Sequence, residues 1–194
     1  MKILIVYNEE NADNLFVPVL RQGLLDLGLD VRCSVNEFWR NSIDYDIIHF
    51  QWPEELVGWN SPTKETVDAL SDRLLFYKNK GVRFVYTRHN ILPHYGNPLT
   101  IEAYCLIEKI SDTIVHLGSC GMESMKELYP LKKHIIIRHH IYENTYNESL
   151  TKEEARAYLN INPEKFVVTA FGKFRKKKRG NANAYSFSVF RLEK

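Results

Sequence analysis

The chain has 194 residues, enough for one ordinary domain and an extension but too short for two full α/β domains. Hydrophobic residues at 44% and charged residues at 26% exclude a disordered composition, and no apolar run approaches the roughly 20 residues of a membrane span. The net charge of +2 hides an imbalance: residues 1–172 carry 18 Lys and Arg against 23 Asp and Glu, whereas residues 173–194 carry 8 against 1. The body is therefore acidic and the tail basic, and the compositional break near Gly172 predicts a boundary there, with domains 1–172 and 173–194. Three cysteines, Cys33, Cys105 and Cys120, are odd in number and widely spaced, which points to a reducing compartment rather than a disulfide scaffold or a Cys-based zinc site.

Residues 3–7 form a short apolar run that turns polar too soon for a signal peptide and reads as a buried first strand. Phe16, Leu20, Leu24 and Leu27 then lie at helical spacing, and Gly28 is placed to end that helix in a left-handed conformation. Residues 29–35 alternate apolar and polar, the pattern of a strand with one wetter face near a sheet edge. A buried strand follows at 47–50. Ser61-Pro62 reads as a cap and first helical residue before a stripe of Val67, Leu70, Leu74 and Tyr77 that stops at Gly81. A strand at 84–87, a helix striped by Leu99, Ala103, Leu106 and Ile110, and a strand at 113–117 come next. Ser119 reads as the cap of a helix running to Leu128. Residues 135–137 and 166–170 complete the set of buried strands expected in the sheet. Between them, Thr151-Lys152-Glu153-Glu154 is a capping box. Residues 186–190 are a weak alternating strand candidate. Strand and helix alternate throughout, which predicts an α/β fold: a doubly wound, Rossmann-like parallel sheet in a single domain.

In such a sheet, ligands sit beyond the carboxyl ends of the strands. The residues that follow the predicted strands are Asn8 to Asn14, then His49-Phe50-Gln51-Trp52-Pro53-Glu54-Glu55, then Arg88-His89-Asn90-Ile91-Leu92-Pro93-His94, then His116-Leu117-Gly118-Ser119, then Arg138-His139-His140. Six of the seven histidines fall in or beside these turns. A rim of His, Arg, Asn, Gln and Trp offers hydrogen bonds and flat apolar faces, which suits polyhydroxylated or nucleotide-like ligands. Each residue also has a plainer reading. Trp52 can pack the sheet edge, and His49 and His116 can be satisfied core histidines. His139 and His140 are neighbours on an extended segment, so their rings should point opposite ways and not chelate one metal. His89 and His94 flank the Pro93 turn, but no third ligand has suitable spacing, so no metal is expected. Ser119 lies in a Gly118-Ser119-Cys120-Gly121 turn that is not a nucleophile elbow. There is no phosphate-binding G-x-x-x-x-G-K-[ST] loop, and residues 8–14 hold no glycine, which argues against a nucleotide triphosphatase and a dinucleotide dehydrogenase.

Taken in order, these segments resemble the N-terminal, acceptor-side half of GT-B glycosyltransferases of the family-four type. The matching stretches are Ile47-Ile48-His49-Phe50-Gln51-Trp52-Pro53-Glu54, Tyr86-Thr87-Arg88-His89-Asn90-Ile91-Leu92-Pro93-His94, Thr113-Ile114-Val115-His116, and Ile136-Ile137-Arg138-His139-His140-Ile141-Tyr142. Glu153-Glu154-Ala155-Arg156 with Leu159, and Phe171-Gly172-Lys173-Phe174-Arg175, follow. The resemblance implies a retaining transferase that moves a sugar from a nucleotide-sugar donor to a glycan or lipid-linked acceptor and needs no metal or other cofactor. It implies that His89 reaches the donor sugar as the catalytic residue, without a nucleophilic role, and that Arg175 and Lys178 neutralise the departing diphosphate, whose charge grows in the transition state. Asn8, Gln51, Trp52, Arg88, Asn90, His94 and His116 are the expected substrate-binding set. The sequence departs from the pattern after Lys178, so the donor-binding half is expected to be missing. The chain is then truncated and inactive by itself, and nucleotide sugar binds only with a donor domain. One alternative is half of a two-chain transferase. Another is a non-enzymatic module whose run of six cations at 173–179 attracts an anionic membrane or nucleic acid without sequence specificity. The expected location is cytoplasmic, peripheral to the inner face of the membrane where lipid-linked acceptors lie.

Overall fold

The computed structural model describes residues 1–8, 14–40, 44–142, 149–170 and 188–190. The chain divides into two compact units, residues 1–141 and 142–194. The first unit carries a six-stranded, all-parallel sheet with helices on both faces, a doubly wound Rossmann-like α/β architecture. Its strands are β1 (Lys2–Val6), β2 (Asp30–Cys33), β3 (Ile47–Phe50), β4 (Arg83–Arg88), β5 (Thr113–His116) and β6 (Lys133–Ile136), in the order β2-β1-β3-β4-β5-β6. The direction of winding reverses between β1 and β3, so a crevice is expected at their carboxyl ends. The alternating segment at 29–35 yields the edge strand β2, as its wet face requires. Its last residue, Val35, instead opens the short helix α2 (Val35–Arg40).

The pleat assigns successive side chains to opposite faces. On one face Ile3, Ile5, Tyr7 and Val31 pack against Phe16 and Val17 of α1 (Phe16–Asp26). On the other, Leu4, Val6, Ile48, Phe50, Phe84, Tyr86 and Ile114 meet the remaining helices. These are α2, α3 (Glu54–Val57), α4 (Lys64–Asn79), α5 (Pro98–Ile110) and α6 (Ser119–Leu128). Gly28 and Gly81 follow α1 and α4 with φ of 76° and 77°, the left-handed turn that glycine adopts without a Cβ clash.

Two expected caps are corrected. Helix α4 is capped by Thr63, not Ser61: Thr63 and Thr66 exchange side-chain and backbone hydrogen bonds in a reciprocal box, while the Ser61 hydroxyl donates to Asn60. Ser119 is the first residue of α6, and Gly118 stands at its cap with no side-chain acceptor. The expected strand at 166–170 is also corrected. Only Val168–Ala170 (β7) is extended, and it pairs antiparallel with β8 (Ser188–Phe190) in the second unit rather than joining the parallel sheet. An apolar run specifies extension but not its partner, and Phe166 is exposed. The second unit also holds α7 (Lys152–Tyr158), with the Thr151–Glu154 capping box formed as the sequence predicts. Residues 171–187, including Gly172, Arg175 and Lys178, lie outside the described residues. Among the described residues no helix is long and apolar enough to cross a membrane.

Candidate functional site

The parallel register brings the expected residues to one edge of the sheet and then sorts them by face. Arg88 stands opposite His116 on neighbouring strands. Because the pleat alternates, Arg88 and His116 share the face covered by α5 and α6, while Gln51 and His89 turn toward α1. Asn90 and His94 lie in the loop beyond β4. The expected set therefore forms three groups rather than one.

The first group is built around His89. Its Nε2–H donates to the Gln51 amide oxygen at 2.8 Å, and Gln51 is 1% exposed. The imidazole stacks on Trp52 with centroids 4.0 Å apart and planes 14° apart, and it meets the edge of Phe16 at 4.8 Å. Trp52 rests in turn on Tyr7, at 5.5 Å. Burial, aided by the nearby His49, His139 and His94, pushes the His89 pKa down to about 3. The ring is therefore neutral near pH 7, an oriented hydrogen-bonding group rather than an acid. Behind it, His49 Nε2 bonds Thr87 Oγ1 at 2.8 Å, and burial lowers the His49 pKa to about 4. These two residues, with Arg138 and His140, line a largely apolar cavity of about 420 Å³ under α1, walled by Leu20, Leu24, Val115 and Leu117. The side chains of His139 and His140 were expected to diverge, and this is corrected. Both rings pack on Phe16, at 5.0 and 4.8 Å, and lie 5.2 Å from each other. They follow the end of β6 at Ile136, so no strand pleat separates them.

The second group is Arg88 with His116. Arg88 Nε lies 3.4 Å from the Glu108 carboxylate, and Nη2–H donates to the Ile91 carbonyl at 3.0 Å. His134 Nε2–H donates to the Tyr129 carbonyl at 3.0 Å. A carbonyl only accepts, so the His134 proton sits on Nε2 and Nδ1 accepts from His116 Nε2–H, also at 3.0 Å. His116 is 1% exposed. Burial first, then the neighbouring His134, Arg88 and Lys126, push its pKa down to about 4.

The third group centres on Glu54, which the sequence reading passed over. Glu54 is fully buried. Its carboxylate accepts from the Tyr104 hydroxyl at 2.7 and 2.8 Å, and from the His94 backbone N–H and ring Nδ1–H, each at 3.1 Å. Asn90 Nδ2 lies 3.4 Å from His94 Nε2. Glu54 thus ties the loop after β4 to α3 and α5. The burial and the carboxylate together raise the Tyr104 pKa. Asn8, at the end of β1, donates its backbone N–H to Glu55 at 2.9 Å.

Glu54, Tyr104, Phe16 and His134 are the residues that sequence reasoning missed. In sequence Glu54 is one residue of the segment after the 47–50 strand with no role assigned, and only the 50-residue reach to Tyr104 reveals it as buried. Among the described residues no group of three or more His, Cys, Asp or Glu side chains is placed to hold a metal ion. A scan against protein-family models finds no match, and a search of curated proteins finds none.

Proposed function

We propose that the chain is the acceptor-side domain of a retaining glycosyltransferase of the family-four GT-B type, acting with a donor-binding domain that supplies a nucleotide sugar. The observation that carries this reading is the His89 arrangement. A neutral imidazole, hydrogen-bonded to buried Gln51 and stacked on Trp52, stands at the carboxyl edge beside the winding reversal of the sheet. Sugars bind through fixed hydrogen bonds to hydroxyls and through packing of their C–H faces on aromatic rings. A ring whose orientation is fixed before ligand arrives contributes binding without reorganisation. His89 then orients hydroxyl groups at the reacting sugar, and Trp52 and Phe16 supply the apolar walls. The roles of Arg175 and Lys178 toward a diphosphate rest on the resemblance alone.

Binding of the 194-residue chain to an array of immobilised glycans tests this reading. Selective binding that falls about tenfold or more in both Trp52→Ala and His89→Ala supports it. Binding to no glycan, or binding indifferent to both substitutions, overturns it.

A further inference from the structure

The groups on the α5–α6 face point to a ligand of a different kind. Helix α6 spans ten residues, and no side chain caps its first turn. The N–H groups of Ser119, Cys120 and Gly121 have no carbonyl within the helix to reach, and they carry the positive end of its dipole. Gly118, Ser119 and Cys120 are exposed, so this end is open to solvent. Two buried side chains converge beside it. The Arg88 side chain is 8% exposed, and its Nη1 has no hydrogen-bond partner. His116 is 1% exposed, and its Nδ1 has none. Outside the helix's own backbone, a Cβ built on Gly121 would meet two atoms within 4 Å. They are Arg88 Nη1 and His116 Nδ1, each at 3.9 Å. With no side chain, Gly121 lets the first turn of α6 come close to a cationic donor and an imidazole nitrogen.

The chemistry of the pair selects the ligand. Arg88 Nη1 and the first-turn N–H groups are donors that favour an oxyanion. The His134–His116 hydrogen-bond chain leaves His116 Nδ1 as a lone pair, which needs a donor. A phosphomonoester bound as its monoanion, one proton above the dianion that prevails at neutral pH, offers both, oxyanions and one P–OH. We propose that Arg88, His116, Gly121 and the first turn of α6 form a binding site for the phosphomonoester group of a small molecule. The site stands apart from the His89 group and does not depend on the glycosyl-transfer reading.

Titration of the isotope-labelled 194-residue chain with inorganic phosphate at constant ionic strength tests the proposal through the amide resonances of Ser119, Cys120 and Gly121. Saturable shifts with a low-millimolar Kd are expected. Gly121→Ala puts a methyl group between the first turn of α6 and the two nitrogens, at ordinary contact distance from both, and alanine favours a helix interior. This variant should fold at least as stably and bind phosphate about tenfold or more weakly. Sulfate, which has no proton for His116 at neutral pH, should bind about fivefold or more weakly than phosphate. Glycerol 3-phosphate should displace phosphate from the same amides. Absence of saturable shifts, an unchanged Kd in a folded Gly121→Ala variant, equal binding of sulfate, or failure of glycerol 3-phosphate to compete would each overturn the proposal.

Discussion

Replacing Glu54 with alanine removes the one acceptor shared by Tyr104 and by both nitrogen donors of His94. The carboxylate is fully buried and Tyr104 is 4% exposed, so water cannot readily take its place. An orphaned buried donor costs roughly 1–3 kcal/mol, and the Tyr104 hydroxyl and the His94 peptide N–H are both orphaned. With the small cavity added, the loss is about 3–5 kcal/mol. At roughly 2–4 °C per kcal/mol for a chain of this size, Tm should fall by about 10 °C. Tyr104→Phe removes a donor without stranding another and should cost only about 1 kcal/mol. Because the two residues share one hydrogen-bonded group, their effects should not add, and the second change should cost less in the presence of the first. Urea denaturation of the two single variants and the double variant measures all three quantities. A loss under about 1 kcal/mol in Glu54→Ala, or simple additivity in the double variant, would refute the account of Glu54 as the anchor of the loop after β4.

Burial holds His49, His89 and His116 at pKa values of about 4, 3 and 4, below the roughly 6.5 of the unfolded chain. Above pH 6.5 both states are neutral and nothing is lost. As pH falls toward 4, the unfolded chain binds protons that the folded one refuses, so stability should fall by up to about 1.4 kcal/mol per pH unit for each histidine. Stability measured at pH 5 should be lower than at pH 7 by at least about 2 kcal/mol, and a flat profile would contradict the buried neutral rings. Gly28→Ala forces a Cβ onto a φ of 76° with no neighbouring atom within 4 Å, so only backbone strain acts. It should cost about 1 kcal/mol, while Gly28→Asn should recover part of that loss. Equal stability of the alanine variant and the parent would remove the left-handed turn from the explanation.

The parallel sheet was readable because its inner strands are apolar on both faces and separated by striped helices, and the edge position of β2 follows from its alternation; the strand expected as buried at 135–137 is instead the edge strand β6, with Ile136 and Ile137 exposed. The concentration of histidines at the carboxyl edge was readable too, since it needs only strand ends and the topology rule. What periodicity could not convey was how those histidines are divided. Arg88 and His89 are adjacent in sequence, yet the pleat sends one toward α6 and the other toward Phe16. That division depends on which residue ends the strand, and the turn offers no repeating pattern to mark it. Glu54 was hidden for a similar reason. Nothing in the spacing of Glu54 and Glu55 marks the first as buried, because its burial arises from partners 40 and 50 residues away. The rings of His139 and His140 misled because strand alternation was extended past Ile136, where the strand ends. The antiparallel β7–β8 pair illustrates the remaining limit, that apolar spacing sets extension while neighbouring chain decides pairing.

The central claim, that the ring group at His89 is a saccharide site, is tested most directly by proton–nitrogen NMR of the His89 imidazole and the Trp52 indole during titration with oligosaccharides. The imidazole is neutral near pH 7, with its Nε2–H on Gln51, and its ring lies 4.0 Å from Trp52, so a bound sugar must disturb both resonances together. The account predicts saturable, concerted shifts of both with a single Kd, lost for Trp52 when His89 is replaced by alanine in a folded chain. Oligosaccharides that bind elsewhere on the chain while both resonances stay unmoved would contradict it.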